Sequence, residues 1–225
     1  MHLRRYNIRS FWKLSKKENK YAVSPRPGPH QKDSCIPLLV VVRNVLGLSK
    51  TNNEARRIIK RGEISVDKRP RKDPNYPVGL MDIVEIPSLK RFYRVEVDKH
   101  GLAVEKIEEA EADKKLLRIQ GKTKIGGNKV QLNLHDGRNI VADKDVYRSN
   151  DSVIVKLPEQ KILKHFKYEK GSPAMIISGR NMGLHGKIKD IFERKTVTES
   201  SRVMIETKAG DIETVKAYVF VGEIK

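Results

Sequence analysis

Residues 51–71, TNNEARRIIKRGEISVDKRPR, constrain the fold more than any other stretch of the chain. They predict a short helix, a forced stop and a strand in immediate succession. Thr51 stands where an N-cap belongs, and Glu54 follows three residues later, the signature of a capping box. Ala55, Ile58 and Ile59 recur at i, i+3 and i+4, so one face of the helix is apolar. Gly62 follows the last periodic position, where a left-handed residue ends a helix at little steric cost. The opposite face is basic: Arg56 and Lys60 form one i, i+4 pair, and Arg57 and Arg61 a second. Like charges at that spacing destabilise a free helix by about 0.2–0.5 kcal/mol per pair. A polyanion would relieve the repulsion; a solvated basic face is the plain alternative.

The whole composition leans the same way. The chain carries 47 Lys and Arg against 28 Asp and Glu, a net charge of +19 over 225 residues. An excess of that size points to nucleic acid or an anionic membrane surface. It is front-loaded: nine basic residues against two acids in 1–35, fourteen against eight in 36–100, fifteen against eleven in 101–170, nine against seven in 171–225. The main anionic contact is therefore expected in the first hundred residues. Aromatics make up only 6% of the chain, which argues against a broad base-stacking platform. The longest apolar run, 36–42, is seven residues with a proline in it, far short of the ~20 a membrane helix needs. The N-terminus lacks a signal peptide's apolar core, although a basic, acid-poor start is also what a transit peptide shows. Cys35 is the one cysteine, so no internal disulfide forms and a reducing compartment is expected.

Segment by segment, residues 1–36 read as a basic arm. SPRPGPH, 24–30, excludes helix and central strand. Upstream, Leu3, Tyr6, Ile8, Phe11, Trp12 and Leu14 are apolar points among cations. Such an arm must fold onto its own protein or a partner, and alone it is expected to be disordered. PLLVVVRNVL, 37–46, reads as helix, with proline at its start and Gly47 at its stop, against the strand preference of its three valines. Val66 to Arg69 leads into a proline-interrupted loop through Pro77, and 79–86 reads as one strand. From 88 the character is β: 91–98 alternates, 129–143 holds an Asp136-Gly137 hairpin signal, and 151–157 is a further strand. The acid-rich stretch 107–117 is expected to be helical. Residues 172–225 predict short strands with a turn at 209–210, as in a small barrel.

No catalytic constellation is legible. The six histidines are scattered, no C-x-x-C occurs, and no nucleotide-binding glycine loop opens a helix. His135 to Arg138 is explained by Asp-Gly turn chemistry. The reading is no catalytic residue, no metal and no cofactor. Gly179, Gly183 and Gly186, with Lys187, sit between two predicted strands, 175–178 and 187–191. Glycines there allow positive φ or close backbone approach, with RNA or with the protein's own turn.

The unit 51–71 resembles the S4 RNA-binding domain, and 174–191, AMIISGRNMGLHGKIKDI, resembles a KOW motif. Their order, with the SPRPGPH arm, IPLLVVVRNVLGLSKT and NYPVGLMDIVEI, is similar throughout to ribosomal proteins of the S4e family. That resemblance implies an α+β multidomain chain: a basic arm (1–36), a small α/β S4-like domain (37–100), a β-rich central domain (101–170) and an SH3-like KOW barrel (171–225). It implies a structural, non-enzymatic component of the small ribosomal subunit in the cytoplasm, one copy among neighbouring ribosomal proteins and small-subunit rRNA, with no membrane.

RNA contacts are expected from Arg56, Arg57, Lys60 and Arg61, with Lys50 and Thr51 before them and Lys68, Arg69, Arg71 and Lys72 after. Arg4, Arg5, Arg9, Trp12 and Lys13 of the arm join them, with Arg43, and with Arg180 and Lys187 in the KOW segment. Gly62, Gly179, Gly183 and Gly186 are expected as structural turns. Where the hairpin after Val66 usually carries a glycine, Asp67-Lys68 stands here, so a wider turn is expected. Met182 stands near a place that often carries a second basic residue. The end at Lys225, without the basic tail usual in eukaryotic members, looks archaeal. If about six phosphates are neutralised, the log–log salt slope is about −4 to −5. The alternatives are an RNA-modifying enzyme, for which 101–225 offers no evident catalytic domain, and a KOW-bearing transcription factor, against which the arm and the centre argue.

Overall fold

The computed structural model describes residues 3–12, 14–15, 17–126, 129–143, 145–193, 200–207 and 210–223. Strands dominate and helices are few, so the α part of the expected α+β class is slight. The chain divides into two units, Met1–Glu96 with Leu102–Lys115 and Leu157–Glu159, and Val97–Gly101 with Leu116–Lys156 and Gln160–Lys225.

In the first unit β1 (Leu3–Arg4) pairs antiparallel with β2 (Tyr21–Ala22). β3 (Cys35–Pro37) leads into α1 (Leu38–Val40), which widens into a π-turn over Val41–Val45. The helical reading of 37–46 holds in kind: Leu46 N–H donates to the Val41 carbonyl at 2.9 Å, and Gly47 follows at φ +63. Then come α2 (Asn52–Arg61), β4 (Ser65–Val66), β5 (Arg69–Pro70), β6 (Pro77–Gly79), β7 (Ile83–Ile86), β8 (Arg91–Asp98) and β9 (Gly101–Ile107). β5-β4-β7-β8-β9 form one sheet, and β3 pairs with β6. Their shared core joins Leu39 and Val41 of the helical turn, Ala55 and Ile59 of α2, Val66, Val84 and Val95 of the sheet, and Leu3, Ile8 and Trp12 of the arm. The arm is thus ordered within its own unit. Trp12 is 1% exposed and its Nε1 donates to the Cys35 carbonyl at 2.9 Å. Burial, with Asp82 and Asp33 nearby, pushes the Cys35 thiol up to about 12, so it is an inert core group.

The second unit holds two antiparallel sheets. β10 (Lys114–Ile125), β11 (Lys129–Leu134), β12 (Asn139–Ala142), β13 (Ser152–Lys156) and β14 (Lys161–Phe166) are ordered β12-β11-β10-β13-β14. β15 (Pro173–Ile176), β16 (His185–Phe192), β17 (Arg202–Thr207), β18 (Gly210–Val215) and β19 (Val219–Val221) are ordered β18-β17-β16-β15-β19. The Asp136-Gly137 hairpin is present, with Gly137 at φ +75 and the Asp136 carboxylate accepting from Arg138 N–H at 3.1 Å. Of the turn expected at 209–210, Ala209 lies outside the described residues.

Three local expectations are overturned. Residues 107–117 are not helical: β9 runs to Ile107, one 3-10 turn covers Glu109–Glu111, and β10 starts at Lys114. Helix preference is worth a few tenths of a kcal/mol per residue, roughly, and loses to burying Lys115, Leu116, Leu117 and Ile119. Residues 79–86 are not one strand. Met81 turns at φ +64, and the Asp82 carboxylate takes the Gly79 N–H at 2.9 Å, separating β6 from β7. The hairpin at Asp67-Lys68 is not wide. Both residues sit at positive φ, 51° and 63°, making a two-residue turn between Val66 and Arg69 without glycine.

One buried ionic cluster supplies the reason for the last two. Lys115, with its side chain wholly buried, donates through Nζ to Asp67 at 2.7 Å and to Asp82 at 2.6 Å. Asp67 also accepts from Ile83 N–H at 3.0 Å, and His30 Nε2 lies 3.0 Å from Asp82. A Cβ on Gly79 would fall 2.3 Å from the His30 ring, so that position admits only glycine. Burial alone would raise the Asp82 carboxyl, but Lys115 and His30 hold it well below the usual carboxylate range.

Lys115→Met strands two buried carboxylates and should cost about 3–5 kcal/mol in urea denaturation. A depressed folded pKa stabilises the fold fully above the ordinary value of 3.8 and loses that stability as pH falls through the folded one. Acid titration of wild type should show this loss, and Asp82→Asn should flatten that part of the curve.

Candidate nucleic-acid interface

The basic helix is held by its ends and by one face. Thr51 Oγ1 accepts from Glu54 N–H at 3.3 Å, and Glu54 accepts from the N–H groups of Thr51 at 3.2 Å and Lys50 at 3.0 Å. Gly62 closes the other end at φ +78, its N–H bonded back to Ile58 and Ile59. Glu54 in the first turn and Lys60 and Arg61 in the last suit the helix dipole. Ala55 and Ile59 are buried, so the helix cannot roll. Arg56, Arg57, Lys60 and Arg61 are all exposed on the remaining surface. Arg61 reaches Glu63 at 3.6 Å, whereas Arg56, Arg57 and Lys60 make no ion pair among the described residues.

Some cations elsewhere are paired across strands or loops: Lys122 with Asp145, Lys170 with Asp190, Lys189 with Asp211, and Arg202 with Glu213. α2 therefore presents a fixed row of charge that the protein itself does not neutralise. The row continues past the helix. Lys50, Arg69 and Lys72 are exposed, and a Cβ on Gly62 would meet the Lys72 Cε at 3.5 Å, so that side chain runs beside the helix C-terminus. The Arg71 guanidinium lies 4.4 Å from the Tyr76 ring centroid, close cation–π geometry. Burial, with Asp82 adding, pushes the Tyr76 hydroxyl up to about 12, so that ring stays neutral beneath the charge.

Several expected contact residues are used inside the protein instead. Lys68 binds Glu85 at 2.9 Å and Asp113 at 2.8 Å and stands over the Phe92 ring. Burial opposes its charge, but those two carboxylates raise its pKa on balance, so it is a structural cation. Arg5 is 4% exposed and paired with Glu18, and Trp12 belongs to the core. Arg9 is exposed but paired with Asp33 at 3.0 Å, while Arg4 is exposed. Lys13 lies outside the described residues. Arg43, half-buried in the π-turn, donates to Asn44 and Asn52. In the second unit Arg180 and Lys187 are exposed, and Gly179 and Gly183 sit at φ +92 and +82 in the loop between β15 and β16. Gly186 is not a turn residue: it lies in β16, where a Cβ would fall 2.2 Å from the Glu206 carbonyl oxygen.

Tyr76 beneath Arg71 was not marked by the sequence, where it is one aromatic in a proline-rich loop; only its spacing from Arg71 could have suggested the pair.

Removing the cap tests whether the row is positioned from this end. Thr51→Ala should cost about 1 kcal/mol, read as a lower urea midpoint at an unchanged m-value.

The chain matches three family models: RS4NT (NUC023) domain over 1–33, S4 domain over 36–84, and Ribosomal family S4e over 89–162. It is 44% identical to the small ribosomal subunit protein eS4 of Archaeoglobus fulgidus, over 98% of this chain and 92% of that protein. The eS4 protein of Methanothermobacter thermautotrophicus is likewise 44% identical, over 98% of this chain and 91% of its own length. The crystal structure of the 30S ribosomal protein S4e from Thermoplasma acidophilum superposes with a TM-score of 0.72 at 30% identity, covering 84% of this chain and 95% of that one.

Proposed function

The chain belongs to the ribosomal family S4e, and from that premise we propose that the exposed face of α2 is where it grips ribosomal RNA. It is a small ribosomal subunit protein of the cytoplasmic ribosome, binding rRNA and supporting assembly and translation. One observation carries the placement: Arg56, Arg57 and Lys60 stand exposed and unpaired among the described residues, on a helix whose caps and buried face fix its orientation. Phosphates at that face would remove the repulsion within the two i, i+4 pairs. Lys50, Arg69, Arg71 and Lys72 extend the contact.

For 171–225 we read a KOW-bearing, SH3-like barrel. The support is five antiparallel strands in the order β18-β17-β16-β15-β19 and a glycine-turned loop beside Arg180 and Lys187. The role is structural, without catalysis or cofactor, as a single copy beside neighbouring ribosomal proteins.

The test is Arg56→Ala, Arg57→Ala, Lys60→Ala and Arg61→Ala combined, with binding to small-subunit rRNA followed across potassium chloride. Loss of four phosphate contacts should flatten the log–log slope by about 3. Thermal stability should hold or rise slightly, since two repulsive pairs are gone. Wild-type affinity with a wild-type slope would mean the face is merely solvated.

A further inference from the structure

Between the arm and the start of α2 lies a cleft of about 270 Å³. Its lining includes three cations, Arg5, Lys20 and Arg43, two amides, Asn19 and Asn52, and one large ring, Tyr21. No carboxylate lines it among the described residues. Glu18 offsets Arg5, so Lys20 and Arg43 are the two cations of the cleft without an ion pair among the described residues, and they favour an anionic group. The amides offer donors and acceptors of the kind that read a base edge. Tyr21, 47% exposed, offers a flat ring, and Lys20 Nζ stands 5.5 Å from its centroid, so charge and stacking surface are adjacent. The volume falls just below the ~300 Å³ at which small-molecule sites begin, enough for one planar group but not a whole cofactor.

Two of the cations, Arg43 and Arg5, are held in place before anything binds. Arg43 donates through Nε to Asn44 at 2.9 Å and through one terminal nitrogen to Asn52, which fixes its plane. Its other terminal nitrogen has no partner among the described residues. Arg5, at 4% exposure, pairs with Glu18 through one terminal nitrogen, while its Nε is buried without an acceptor. A buried donor left over is uncommon, and it sits in a side chain that lines this cleft.

We propose that the cleft takes a single unstacked nucleotide of the bound RNA, its base on Tyr21 and its phosphate between Lys20 and Arg43. The inference rests on the rRNA-binding reading and sharpens it. The α2 face supplies backbone neutralisation, which is indifferent to sequence, and the cleft selects a place where one nucleotide is free of the stack.

The full-length chain bound to transcribed small-subunit rRNA is probed with dimethyl sulfate, which reports unpaired adenines and cytosines, and with a water-soluble carbodiimide, which reports unpaired uridines and guanosines. Wild type should protect one unpaired nucleotide. Tyr21→Leu should bind about ten-fold more weakly, re-expose that nucleotide and leave the salt slope unchanged, because stacking releases no counterions. Arg43→Ala should re-expose the same nucleotide and flatten the slope by about one. An unchanged urea midpoint for Tyr21→Leu, at an exposed position, separates lost stacking from a folding defect. Wild-type affinity and footprint in the cleft variants, with binding lost in the four-fold helix variant, would overturn the cleft while leaving the rRNA reading intact. A uniform loss of protection without one re-exposed base would also overturn it. Crosslinks from the cleft to a ribosomal protein in assembled subunits would assign it to a peptide instead. Wild-type binding by the helix variant would strike the α2 placement, and only failure of the wild-type chain to bind small-subunit rRNA would strike the rRNA reading itself.

Discussion

The buried ammonium of Lys115 is the constraint on which the first unit turns. Two carboxylates from separate loops meet it, and each carboxylate also takes a backbone N–H, Ile83 for Asp67 and Gly79 for Asp82. Paired and hydrogen-bonded in this way, the charges tolerate burial that would otherwise cost several kcal/mol per ion, roughly. The cluster joins His30 of the arm, the hairpin turn at Asp67, the break at Asp82 and the first residues of β10. Four stretches far apart in sequence thereby acquire fixed positions from one cation. Two left-handed residues, Asp67 and Lys68, are strained only locally, because Lys115 holds the first and Glu85 and Asp113 hold the second.

That arrangement also sorts the positive charge. Lys68, Arg94 and Lys115 are turned inward or sideways onto acids, with Arg94 between Glu96 and Glu111. Lys68 and Arg94 belong to the same basic stretch as Arg56 and Arg57, and nothing in the charge count separates them. The distinction is geometric: α2 buries Ala55 and Ile59, so its cations must point away from the core, where no acid is in reach of Arg56, Arg57 or Lys60 among the described residues. Charge that is useful for binding is charge that folding has left unspent.

Much of α2 was legible because its determinants are local. A capping box, a 3.6-residue apolar period and a glycine stop act within four residues of one another, so sequence spacing is spatial spacing. The hairpin at 67–68 was not legible, since its turn type is imposed by Lys115 and Asp113, more than forty residues away. The strand at 114–125 was missed for a related reason. Its acid-rich approach favours helix locally, but burial of Leu116, Leu117 and Ile119 outweighs that preference. The arm was expected to fold onto its own protein or a partner because it cannot bury itself, and the sequence left open which; the core that receives Trp12 is built largely from residues 36 and beyond.

By itself the sequence determined the sign and placement of the charge, the helix that displays it, the Asp136-Gly137 hairpin and the β character of the second half. These rest on composition and on interactions spanning a few residues. Only the tertiary structure decided which cations face out, that Trp12 and Arg5 are internal, that Gly186 is a strand residue crowded by Glu206, and that Arg43, Lys20 and Tyr21 share one cleft. Each of these depends on which chain segment lies opposite, and burial against a distant segment leaves no periodic mark in the sequence.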